Sequence, residues 1–170
     1  MDSLEVPNRV ILDSSVIIGL LRNKPEEVRL IRELEAKAEL ATTTINTFEV
    51  YYGAYRSRMI QRNLVSVKGF LSIVELLAFD EGVAELAGQV LAELESEGQG
   101  VDVRDLFIRC IAVSKGFTVV THNKEHFMRI PKLHVVLPAP HATNHSFPSR
   151  KDANKPSQNS KENETAHKYT

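Results

Sequence analysis

Asp13 closes the run Arg9-Val-Ile-Leu-Asp13, which reads as a short buried strand ending in a carboxylate. Alone, such an aspartate is explained by capping the helix that follows from Ser14 and Ser15. Glu49 falls four residues after Ile45 and one after Phe48, so on a helix it borders the apolar face. An ionised carboxylate there needs a cation or several donors, unless it is a rim glutamate paired with Arg56 or Arg58. Asp102-Val-Arg-Asp105 precedes Leu106, Ile108 and Ile111, a pattern that by itself is a helix cap with an acid three residues later. If a parallel sheet gathers its strand ends, however, Asp13, Glu49 and Asp105 converge at one edge. Three clustered carboxylates repel one another unless a divalent cation neutralises them. Oxygen ligands select hard ions, Mg2+ or Mn2+, and Mg2+ keeps waters that a substrate phosphate can replace.

Other chemistries are poorly served. The single cysteine, Cys110, excludes an internal disulfide and a thiolate zinc site, and among Ile108, Ile111 and Ala112 it reads as a small core residue. His122 and His126 invite a zinc or acid-base reading, but no third ligand lies at a recognisable spacing. The sequence has no P-loop, GxGxxG, GxSxG or DxD motif, and the missing DxD weighs against the aspartate-nucleophile phosphatases within the alternative class of α/β enzymes and switches. Tyr51, Tyr52 and Tyr55 could stack unpaired bases or belong to a core or an interface.

The elements that must position these residues alternate. After the first strand, Val16 to Leu21 opens a helix, and Pro25 with Glu26 and Glu27 starts a second, with Val28, Ile31, Leu34 and Ala38 on one face. Leu40 to Thr43 reads as a strand, and Thr44 or Asn46 caps a third helix carrying Phe48, Glu49 and the tyrosines. A fourth helix spans about Met59 to Ile73, and Leu76 to Phe79 is a short strand. Asp80 caps a long helix through Glu97, ended by Gly98 and Gly100; another runs from about Val103 to Lys115 and stops at Gly116. Phe117 to Thr121 and Val135 to Leu137 complete the strands. Strands alternating with helices predict right-handed β-α-β units and a parallel sheet covered on both faces.

The chain has 170 residues, 42% hydrophobic and 25% charged, enough for one domain with a substantial core. Composition divides it into a folded domain, residues 1–140, and a polar tail, 141–170, too poor in apolar residues to offset its ordering entropy. The net charge of −1 separates into +2 on the tail and −3 on the domain, so RNA binding would need a local patch or a bound cation. No stretch approaches the ~20 apolar residues of a membrane span. The N-terminus, Met1-Asp2-Ser3-Leu4-Glu5, lacks the pattern of a signal peptide, so the expected location is the cytoplasm.

Four segments together resemble a known family: Ile11-Leu-Asp-Ser-Ser-Val-Ile-Ile18, Thr43-Thr-Ile-Asn-Thr-Phe-Glu-Val-Tyr-Tyr-Gly-Ala54, Gly100-Val-Asp-Val-Arg-Asp-Leu-Phe-Ile-Arg-Cys-Ile-Ala112 and Gly116-Phe-Thr-Val-Val-Thr-His-Asn-Lys-Glu-His-Phe127. In order and spacing they resemble the PIN domain and, more narrowly, its VapC-type toxin ribonucleases, over about residues 8–137. The resemblance implies a Rossmann-like α/β/α sandwich with a central parallel sheet, and a Mg2+- or Mn2+-dependent endoribonuclease. It carries the first acid to Asp13, the helix glutamate to Glu49, the third acid to Asp105 and the small polar supporting residue to Ser15. Many members have an aspartate where Asn123 stands; an amide accepts through its carbonyl but brings no charge, which leaves one or two metal ions open. Glu125 or Asp102 could supply the missing carboxylate, though each reads more simply as a surface or capping residue.

The implied chemistry is in-line attack by a metal-activated water on an RNA phosphodiester, leaving a 5′-phosphate and a 3′-hydroxyl. Asp13 and Asp105 would hold the cation, Glu49 would bind it or orient the water, and Asn123 would fix a water or a phosphate oxygen. Arg104, Arg109, Lys124 and Arg129 flank these positions and either touch the RNA backbone or form a solvated face. The toxin likeness further implies a homodimer and a cognate antitoxin that blocks the site. Two alternatives stay open, a PIN-like module with a degraded site, for which Asn123 is the support, and a stand-alone RNA-processing nuclease.

Overall fold

A computed structural model of the chain describes residues 7–123 and 135–136. The tail and the positions of Lys124, Glu125, His126, Arg129 and Leu137 lie outside the described residues. In chain order the elements are β1 (Arg9–Leu12), α1 (Ser14–Leu21), α2 (Pro25–Glu35), β2 (Glu39–Thr43), α3 (Thr44–Tyr55), α4 (Ile60–Leu71), β3 (Glu75–Leu77), α5 (Glu81–Ser96), α6 (Val103–Lys115), β4 (Thr118–Val120) and β5 (Val135–Val136). Every strand pairing is parallel, in the order β3-β2-β1-β4-β5. The chain builds outward from β1 through β2 to β3, then returns to the other side of β1 with β4. That reversal makes the carboxyl ends of β1 and β4 the switch point of the sheet, the edge where doubly wound sheets bind ligands.

β1 sits at the centre, and Val10, Ile11 and Leu12 are wholly buried, as a strand covered on both faces requires. Its side chains alternate between two cores. Ile11 joins Ala41 and Val119 beneath α5 and α6, packing with Val83, Ala87, Leu106 and Ile111. Val10 and Leu12 face α1, α2, α3 and α4, against Val16, Ile17, Ile31, Val50 and Val67. This is the expected α/β/α sandwich, and the predicted Cys110 is a core residue. No helix among the described residues is long and apolar enough to cross a membrane.

The observed elements differ from the sequence reading mainly at their ends. α3 is capped by Thr43, whose hydroxyl accepts from the Asn46 amide nitrogen at 3.1 Å, rather than by Thr44 or Asn46. α2 ends at Glu35, so Ala38 packs against the second core from the following turn. Asp80 and Asp102 cap α5 and α6 as expected, through the amides of Val83 and Arg104.

α6 closes at Gly116, which adopts φ +71° and lets Phe117 N donate to Ala112 O at 2.9 Å before the chain enters β4. Only glycine takes this conformation without strain. Gly116→Ala is therefore expected to destabilise the protein by about 1–2 kcal/mol in urea denaturation.

Candidate active site

β1 and β4 run in register, Leu12 opposite Val120, so the residues that follow them, Asp13 and Thr121, emerge side by side at the switch point. The Asp13 amide donates to Val120 O at 3.0 Å and fixes this edge. Asp13 occupies the N-cap position of α1, yet its side chain makes no capping bond. It is 4% exposed and turns inward. Asn46 Nδ2 donates to its Oδ1 at 2.9 Å, while Ser15 Oγ and Thr121 Oγ1 each donate to its Oδ2 at 2.7 Å. The Asp13 side chain is thus committed to these three donors rather than to capping α1, and Ser15 is one of them.

Asn46 is itself oriented: the Thr43 hydroxyl donates to its Oδ1 at 2.6 Å, which aims the amide NH2 at Asp13. Glu49 lies one helical turn further along α3, on the same side as Asn46. Ser14 Oγ donates to Glu49 Oε2 at 2.7 Å, and Arg104 Nη1 approaches Glu49 Oε1 at 3.3 Å. The rim partners proposed for Glu49 are elsewhere; Arg56 lies over the Tyr52 ring, 5.4 Å from its centroid. Burial pushes the Glu49 pKa above the ordinary carboxylate value, the Ser14 donor lowers it, and the charges of Asp13 and Asp105 raise it against the pull of Arg104. Glu49 therefore feels both other acids.

Asp105 is half-buried in the first turn of α6. Asp102 caps that helix and clamps Arg104, accepting from its main-chain N at 2.9 Å and from Nη2 at 3.1 Å. Arg109, read from sequence as an RNA contact or a solvated side chain, is neither, being only 1% exposed. A helix of period 3.6 turns position 109 inward, below Asp105. Burial lowers the Arg109 pKa to about 10, opposed by the Asp105 charge.

Among the described residues, no three His, Cys, Asp or Glu side chains form a ready-made metal cage. The donor set still suits a hard divalent ion: the acids are oxygen ligands, and among the described residues Asp13 Oδ1 accepts one bond and keeps acceptor capacity. Asn123 joins the site through its main chain, its N donating to Thr121 Oγ1 at 3.0 Å. The His122 ring turns to α2, where its Nε2 shares a 2.5 Å hydrogen bond with Glu27 Oε1. Tyr51 packs against the second core, while Tyr52 and Tyr55 are exposed.

Sequence reasoning missed Ser14, Asn46 and Thr121 as functional positions. The signal for Thr121 was a polar residue ending a buried strand; for Asn46 it was a buried polar position one turn before Glu49 on α3.

The PIN domain family model matches residues 10–133. The chain is similar to the tRNA(fMet)-specific endonuclease VapC of Salmonella typhimurium, 36% identical over 127 residues that cover 75% of this chain and 96% of that protein. Among solved structures, it is similar to the DNA-bound VapBC of Salmonella typhimurium, at 35% identity and TM-score 0.69, covering 77% of this chain and 98% of that one. It is also similar to VapBC2 of Rickettsia felis bound to a promoter DNA fragment, at 25% identity and TM-score 0.70, covering 76% and 98%.

The raised Glu49 pKa has a sign. A carboxyl whose folded pKa exceeds its unfolded value contributes stability that is complete below the unfolded value and is lost as the pH rises through the folded one. In chelator, the stability of Glu49→Gln relative to the parent should therefore rise as the pH is raised from about 4 to about 7 in urea titrations.

Proposed function

This chain belongs to the PIN domain family, among the VapC ribonucleases, and from that premise we propose that it is a metal-dependent endoribonuclease acting as the toxin of a type II toxin-antitoxin pair. The observation that carries the reading is the buried Asp13 carboxylate at the switch point of the sheet, held by Ser15, Asn46 and Thr121 and sharing its field with Glu49 and Asp105. We assign Asp13, Glu49 and Asp105 as the catalytic and metal-holding residues, with Ser15 and Asn123 in support. Mg2+ or Mn2+ bound there would supply an activated water and a positive charge against the phosphate.

The residues of the chain set the rest. Asp13 presents a fixed carboxylate because three donors leave it no other orientation. Glu49, pulled toward protonation by burial and by two acids, orients the attacking water opposite the leaving oxygen. Water adds to phosphorus as the bond to the 3′-oxygen breaks, giving a 5′-phosphate and a 3′-hydroxyl. Asn123 holds a water or a phosphate oxygen without adding charge, which favours the economy of one ion.

The substrate is RNA, and the named specificity of the Salmonella typhimurium relative makes initiator tRNA the first to try. The solved VapBC relatives support a cognate antitoxin as the protein partner, and a homodimer in the cytoplasm completes the reading.

The test is cleavage of initiator tRNA and of a single-stranded RNA panel with Mn2+ or Mg2+. Asp13→Asn should lower the rate at least about 100-fold, the scale of removing one group that stabilises a transition state. EDTA should abolish cleavage. Activity that survives chelation overturns the metal assignment, and activity that survives in Asp13→Asn overturns the site.

A further inference from the structure

Glu27 is an acid on the buried face of α2, 2% exposed. Its Oε1 meets His122 Nε2 at 2.5 Å, and its Oε2 is buried with no hydrogen-bond partner among the described residues. A carboxylate so placed is costly, because burial removes its water and one partner replaces little of it. The fold also clears space for it. A Cβ on Gly19 of α1 would stand 2.5 Å from Glu27 Cγ and 2.9 Å from Cδ and Oε1. Glycine inside a helix weakens that helix, so a second cost is borne for the same contact.

The far end of the contact leads to the site. His122 N donates to Ser15 Oγ at 3.2 Å, and Ser15 Oγ donates to Asp13 Oδ2 at 2.7 Å. The preceding residue, Thr121, donates to the same oxygen at 2.7 Å, and the following residue, Asn123, donates its amide to Thr121 Oγ1 at 3.0 Å. The segment that leaves β4 therefore delivers one hydroxyl to Asp13 directly and steadies another. It is pinned through the His122 ring to Glu27, on a helix that does not itself reach the acids.

We infer that Glu27 and His122 are positioning residues: their contact, made possible by Gly19, holds residues 121–123 against α1 and so fixes the two hydroxyls that aim Asp13. This rests on the proposed role of Asp13 in cation-dependent cleavage. Neither side chain is bonded to Asp13, so both act through Ser15 and Thr121. Groups bonded directly to a metal-holding carboxylate change metal affinity or activity by about 10- to 100-fold when lost, and the Glu27–His122 contact acts on two such groups, Ser15 and Thr121, at once.

The experiment uses the full chain, RNA that the parent cleaves, and Mn2+ titrated by electron paramagnetic resonance. Glu27→Ala and His122→Ala should each lower kcat by about 10- to 100-fold, leave KM for RNA within about twofold, and weaken Mn2+ binding. The double variant should be no worse than either single one, because both break one strut. Glu27→Gln, which keeps an acceptor oxygen for His122, should recover most of the lost kcat. Gly19→Ala should lower kcat in the parent and have no further effect in Glu27→Ala, where the obstructed side chain is gone. If Glu27→Ala does not fold, His122→Ala and Gly19→Ala carry the test. Folded variants with parental kcat and Mn2+ affinity, or single losses that multiply in the double variant, overturn the inference. A parent that cleaves no RNA overturns the proposed function instead, and the Mn2+ titration then decides the positioning role by itself.

Discussion

A carboxylate taken out of water must be given back the hydrogen bonds it lost, and at Asp13 this requirement organises the switch point of the sheet. Its three donors come from three places: Ser15 from the start of α1, Asn46 from the first turn of α3, and Thr121 from the residue after β4. None is adjustable alone. Ser15 moves with the helix that Asp13 begins, Asn46 is held at both ends of its amide by Thr43 and Asp13, and Thr121 is carried by the pairing of β4 with β1. Satisfying one buried charge thus fixes the relative placement of a central strand, its neighbour and two helices.

The remaining electrostatics follow from crowding acids at that point. Arg104, held by the aspartate that caps its own helix, leans toward Glu49, and Arg109 lies buried in the next turn of α6 from Asp105. The two arginines differ in kind. Arg104 remains largely solvated and bridges Asp102 and Glu49 at the rim, whereas Arg109 is enclosed and supplies a standing positive charge to the helix that carries Asp105. An acidic domain that handles a polyanion needs cations of its own at the edge of the site as well as any ion it binds.

The architecture was legible because its signals are local. Apolar runs at Val10 to Leu12 and Thr118 to Val120, caps at Asp80 and Asp102, and the glycine stop at Gly116 each declare an element within a few residues. The acids were legible for a related reason: a charge at a strand end or beside an apolar helical face conflicts with local preference. What escaped was everything whose meaning lies in a partner distant along the chain. Thr121 is an unremarked strand end until Asp13 lies beside it, Asn46 passes for a cap, and Arg109 passes for a surface residue until the helix is seen to rotate it inward. The pairing of Glu27 with His122 spans 95 residues and leaves no trace in either neighbourhood.

The sheet order has a consequence for biosynthesis. Because β4 pairs with β1 rather than with β3, the first strand of the chain keeps one flank open until the last third has been made. A nascent chain ending before residue 118 already contains Asp13, Glu49 and Asp105, with α1 to α6 behind them, yet lacks the hydroxyl and the strand that finish the aspartate's setting. The full hydrogen-bonded setting of the Asp13 carboxylate is therefore a property of a chain that includes β4 and Thr121. Fragments from interrupted translation carry the acids without the means to aim them.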